Sequence, residues 1–171
     1  MERNAHDMTA RGGFTLVEIL VAIAVLTILL TMAVTTFRGL DEKFKVETET
    51  KQLYTDLMEG RARASQRYRV VFVRISGSGY GTYEDTNTAP DGNGSLETAL
   101  DARIANVTVR HTISTNLTGG VTAFEFDRNG VATVSGDIRF ASTEKPDYDC
   151  VTIKPTRIKM GQYSGGACVE K

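Results

Sequence analysis

RGGFTLVEIL, residues 11–20, decides how the rest of the chain is read. An apolar run opens at Phe14 and extends to Phe37, and Glu18 is its only charge. As a helix the run spans about 36 Å at about 1.5 Å per residue, enough to cross a hydrocarbon layer of roughly 30 Å. A carboxylate inside such a run costs about 2.5–3.5 kcal/mol on insertion scales, so it asks for a partner. Arg3 and Arg11 precede the run; Arg38 and Lys43 follow it.

Three readings compete. A secretory signal peptide would be cut behind the run, at a small-x-small site. Ala22-Ile23-Ala24 has that pattern but lies in the middle of the run. A plain membrane anchor explains the length and leaves Glu18 without a role. The third reading explains both. A cut between Gly13 and Phe14 creates an amine about one helical turn from Glu18. In an assembly of such helices, the carboxylate of one subunit meets the amine of its neighbour, and neither charge stays alone in apolar surroundings.

Arg11-Gly12-Gly13 followed by Phe14-Thr15-Leu16-Val17-Glu18-Ile19-Leu20 resembles the class III prepilin signal of type IV pilins and type II secretion pseudopilins. The resemblance implies that a prepilin peptidase cuts after Gly13 and N-methylates Phe14. It implies that Glu18 serves assembly with other pilins or pseudopilins. Many relatives carry a proline late in the apolar segment, where this chain has Val34-Thr35-Thr36, so no residue marks a kink there.

The whole chain fits that outline. Its 171 residues suit one domain with an appendage. Charged residues make up 24% and hydrophobic ones 41%, which excludes a disordered chain and a polytopic membrane protein. Lys plus Arg number 20 and Asp plus Glu 21, so no global charge draws nucleic acid or anionic lipid. After Phe37 the pattern is amphipathic: Leu40, Phe44, Leu53, Tyr54, Leu57, Met58 and Ala62 share one helical face. No proline interrupts residues 14–69. Gly39 and Gly60 each cost about 1 kcal/mol against Ala. One long helix, or two broken near Gly39, both satisfy the pattern. Residues 61–69, RARASQRYR, are locally basic, as suits a helix C-terminus or a nucleic-acid stripe.

From Val70 the period shortens. VVFVRIS, ARIANVTVRHTIS, VTAFEFD, VATVSGDIRFAS and CVTIKPTRIKM are rich in Val, Ile, Thr and Phe. Turn signals separate them, and Asn129-Gly130 predicts a tight hairpin. The expectation is α+β: a long N-terminal helix, then a mostly antiparallel β head. Its parts are a leader over 1–13, a transmembrane and assembly half over 14–37, an amphipathic half over 38–69 and the head over 70–171. The order resembles the GspH/FimT branch of the pilin family, which implies two sheets in the head. FEFDRNG, residues 124–130, fits that branch.

Cys150 and Cys168 are the two cysteines. In an exported head they read as a disulfide that closes a loop of about 18 residues and stabilises by about 3 kcal/mol. In a reducing compartment they would be free thiols. With His6 and His111 they lack any metal-ligand spacing, so no metal is expected. Asp91, Asn93, Ser95 and Glu97 alternate in a long polar loop. The pattern is incomplete as a calcium loop, and an exposed flexible loop is the plainer reading. His111 is expected on a strand face. No catalytic grouping and no cofactor motif is found, so the chain reads as a non-enzyme.

One further resemblance concerns the tail. Family members that take part in DNA uptake carry Gly-Arg-x-Arg near the C-terminus; here the stretch is Thr156-Arg157-Ile158-Lys159, without the glycine and with lysine last. Arg157 and Lys159 are the candidate DNA contacts, on one side of a strand, with Lys154 expected opposite. An ordinary polar strand edge is the alternative. The resemblance therefore implies a minor pseudopilin or pilin that initiates or caps a fibre, held in the bacterial inner membrane with a periplasmic head. Its partners would be the prepilin peptidase, sister pilins and the assembly platform, with DNA uptake as the alternative role.

Overall fold

The structure is a computed structural model. It describes residues 13–88 and 90–171, with the side chains of 33–38 outside the description. Most of the leader, residues 1–12, therefore lies outside the described residues. The chain divides into two units, Met1–Gly39 and Leu40–Lys171. Helix α1, Leu16–Arg67, runs without interruption at Gly39 or Gly60. It stops at Tyr68, whose φ of 55° is left-handed, and the Arg69 N–H bonds back to the Ala64 carbonyl at 3.2 Å. That is a Schellman-type ending built on a tyrosine rather than a glycine.

Among the described residues nine strands follow: β1 Val71–Ser76, β2 Gly79–Glu84, β3 Ala102–Thr108, β4 Ile113–Leu117, β5 Ala123–Phe126, β6 Gly136–Phe140, β7 Cys150–Lys154, β8 Arg157–Ser164 and β9 Ala167–Glu170. They form two antiparallel sheets, in the orders β3-β2-β1-β5 and β4-β6-β7-β8-β9. The α+β class and the two sheets are as expected. ARIANVTVRHTIS is not one strand: the chain leaves the first sheet after Thr108 and enters the second at Ile113. Asn129-Gly130 does turn, with the Asp127 carboxylate accepting N–H groups from Asn129 at 2.9 Å and Val131 at 2.8 Å. The returning VATV forms an isolated bridge, Phe126 to Ala132, flanked by bonds from the Asp127 N–H to the Val131 carbonyl at 2.9 Å and from the Thr133 N–H to the Glu125 carbonyl at 3.0 Å, while the Ala132 N–H faces away and bonds to the Pro155 carbonyl.

The helix face that meets the sheets corrects the sequence reading. Val46, Thr50, Leu53, Leu57 and Ala64 are fully buried, whereas Leu40, Phe44 and Met58 are exposed. Positions 46, 50, 53, 57, 60 and 64 form one 3-4 stripe. Gly60 belongs to it: a Cβ there would lie 3.3 Å from Val71 Cγ1. The core is completed by Val71, Val73, Phe124, Phe126, Ile138, Phe140, Val151 and Ile153. Each large side chain so buried is worth about 1.5–3 kcal/mol. Beyond the helix end, the wholly buried Glu84 is held by Arg67 at 3.0 Å and Arg69 at 3.3 Å. Two cations of the basic stretch are spent on that carboxylate, which favours the structural reading of residues 61–69.

Candidate assembly helix and cationic strand face

Among the described residues nothing lies within 4 Å of where a Gly13 side chain would start, and Phe14 is 81% exposed. The bond expected to be cut lies between these two residues. Just inside it, Thr15-Leu16-Val17-Glu18 is a capping box. The Glu18 N–H donates to Thr15 Oγ1 at 3.2 Å, the Thr15 N–H lies 3.5 Å from Glu18 Oε2, and the Ile19 N–H bonds to the Thr15 carbonyl at 3.3 Å. The T-x-x-E spacing that signals it is present in the sequence at Thr15 and Glu18. Glu18 thus starts the helix from within its own chain.

From Leu16 to Met32 every large apolar side chain of the first unit is exposed. The polar groups among them satisfy themselves. Thr27 Oγ1 donates to the Ile23 carbonyl at 2.5 Å, and Thr31 Oγ1 to that of Ile28 at 2.7 Å. A continuous apolar surface with no hydroxyl left over suits burial against lipid or other helices. Among the described residues no helix is long and apolar enough to cross a membrane. The expected span over 14–37 includes side chains outside the described residues.

The cationic strand face has a different form from the one expected. β7 and β8 are joined by a two-residue turn at Pro155 and Thr156, so Lys154 pairs with Arg157 and Thr152 with Lys159. Lys154 therefore shares a side with Arg157 and Lys159, not the opposite one, because the turn resets the strand alternation. All three meet Glu170 of β9, at 2.9, 3.0 and 3.6 Å. The hydrogen bond from Lys154 leads the causes that hold the Glu170 carboxyl below its usual range. Cys150 and Cys168 are joined as a disulfide, which ties β7 to β9 across β8. The strand between carries Gly161, where a Cβ would stand 2.9 Å from Cys168 Sγ and 2.3 Å from the Val169 carbonyl oxygen.

Hydrogen bonds to its own carboxylates run through the polar loop. Buried Asp85 accepts N–H groups from Asn93 at 3.1 Å and Gly94 at 2.7 Å. Asp101 accepts the Glu97 N–H at 2.7 Å. Glu97 takes the side-chain amides of Asn87 and Asn93, and Asp91 lies 3.9 Å from Arg128. Among the described residues no group of three or more His, Cys, Asp or Glu side chains could hold a metal. His111 is not on a strand: it lies in the connection between β3 and β4, against the helix.

A long N-terminal helix with an exposed apolar end, carrying a head of two antiparallel sheets, defines a pilin-like α+β protein. Residues 8–34 match the family described as prokaryotic N-terminal methylation motif. Residues 49–156, over half of the chain, match the type II transport protein GspH family, and the chain belongs to it. Among solved structures, the type IV minor pilin FimU of Pseudomonas aeruginosa is similar in fold, with a TM-score of 0.53 and 16% identity. The alignment covers 73% of this chain and 97% of that one. Among curated proteins, none matches the chain.

Proposed function

We propose that this chain is a minor pilin or pseudopilin, cut between Gly13 and Phe14, N-methylated on Phe14 and assembled through its N-terminal helix. The observation that carries this reading is the exposed apolar surface of residues 14–32, opened by a capping box directly behind an accessible glycine. Such a surface in water would aggregate; in a bilayer and then in a fibre it is covered. The head stands on the periplasmic side, where the disulfide is stable. The fold is similar to that of a type IV minor pilin, and the role we infer is that of a subunit that initiates or caps a fibre. The work is associative: the chain makes and breaks no bond itself.

An in-frame deletion, scored together for surface pili and for secreted proteins, tests the role. Loss of secretion with pili intact assigns a type II pseudopilin; loss of pili with secretion intact assigns a minor pilin. Loss of neither removes the proposal. A second reading, DNA uptake, draws on the convergence of Lys154, Arg157 and Lys159 on one face. It requires salt-dependent DNA binding by the full chain that disappears when Arg157 and Lys159 become Ala. No binding at low salt ends it.

A further inference from the structure

His111 is a group the assembly reading does not use. It lies in the short connection through which the chain passes from β3, an edge of the first sheet, to β4, an edge of the second. Its imidazole is 9% exposed and stands between two carboxylates of α1 that are two turns apart. Nδ1 is 2.7 Å from Glu49 Oε2, and Nε2 is 2.7 Å from Glu42 Oε1. Glu49 is held a second way, accepting the N–H groups of Arg110 at 2.8 Å and His111 at 3.3 Å. Glu42 has no such anchor and is 39% exposed. Among the described residues neither carboxylate has a Lys or Arg ion-pair partner. The surroundings on each side are known: Lys45 and Arg110 border the neighbouring cleft with Glu49, and Tyr80 of β2 donates to Asp56.

Both ring nitrogens face oxygens that can only accept while ionised. A neutral imidazole has one N–H and one lone pair, so it can serve only one of them. An imidazolium donates to both. We propose that His111 is a proton-operated clamp that fixes the link between the two sheets to the helix through Glu42 and Glu49. When the proton leaves, the remaining N–H stays with the anchored Glu49. A lone pair then faces Glu42, which swings into solvent, and the link is held from one side only. Burial pulls the imidazole's pKa down, but the bonds from Glu49 and Glu42 outweigh it and hold the value above the ordinary 6.5.

The test uses the full chain in detergent micelles. NMR follows the His111 ring through its titration, with His111→Gln assigning its signals apart from those of His6. Hydrogen exchange of residues 109–113, corrected for intrinsic rates, is read at pH 6 and pH 9. The expected result is a midpoint above 6.5 and protection that falls as pH rises through it, by about tenfold for each unit the midpoint is raised. Glu42→Gln, whose amide can donate to a neutral Nε2, should keep the segment protected at pH 9 and flatten the response. A midpoint at or below 6.5 overturns the clamp. So does protection equal at the two pH values, or a pH response unchanged in Glu42→Gln.

Discussion

Gly60→Leu is the substitution in which local preference and tertiary packing pull in opposite directions. Gly60 is inside α1, so local propensity favours the change by about 0.8 kcal/mol. The space does not. A Cβ at this position lies 3.3 Å from Val71 Cγ1 and 3.9 Å from two ring carbons of Phe126, before any further atom is added. Val71 and Phe126 are both fully buried strand residues in the core and cannot move outward freely. Overpacking of this kind costs about 1–3 kcal/mol. The net expectation is a loss of roughly 0.2–2 kcal/mol, or up to about 8 °C in Tm for a unit of this size. Gly60→Ala should fall within about 0.5 kcal/mol of the parent, the propensity gain offsetting one tight contact. Thermal unfolding of the head, followed by near-ultraviolet circular dichroism of the tyrosines in micelles, measures both. Adding Val71→Ala to Gly60→Leu should recover part of the loss, since the two sites touch. A Gly60→Leu protein that melts higher than the parent would refute the close approach of helix and sheet.

Other outcomes follow from the same geometry. Reducing Cys150–Cys168 should cost about 3 kcal/mol and lower the Tm of the head, read by melting with and without reductant. Glu18→Gln separates two roles: glutamine keeps the capping box but loses the charge, so it should insert and be cleaved normally yet fail to enter fibres. Normal incorporation of Glu18→Gln would leave capping as the residue's whole purpose. Glu125 is pushed up by burial first and then by the charges of Asp127 and Asp85. With a raised folded value, its protonated form is favoured on folding. That contribution is full below the unfolded value near 4.3 and is lost as pH rises through the folded one. Glu125→Gln should therefore raise stability at neutral pH and lose that advantage near pH 4, as denaturant titrations at the two pH values would show. Glu170→Gln releases Lys154, Arg157 and Lys159 from their shared carboxylate, so it should strengthen any DNA binding measured at low salt.

Much of this protein was legible before folding was considered. The Gly13–Phe14 junction and the apolar run after it are local signals, written in consecutive residues. The helix-then-strand order followed from a change of hydrophobic period at Val70, and the Cys150–Cys168 pairing from export and the presence of just two cysteines. The capping box is equally local: Glu18 is the third residue of the helix as well as a charge.

What the sequence could not decide was every feature that depends on what lies across from a residue. Of the expected helix face Leu53 and Leu57 are buried, but Leu40, Phe44 and Met58 are not, because the sheets come so near that Thr50, Gly60 and Ala64 are what fits beside them. Lys154 was placed on the wrong side because a two-residue turn changes strand parity, and only the pairing of β7 with β8 shows it. His111 was given to a strand face, since nothing nearby in sequence announces Glu42 and Glu49, more than sixty positions away. Periodicity and peptide-bond chemistry act between neighbours and can be read along the chain; close packing and charge pairing act through space, and only the folded chain brings those partners together.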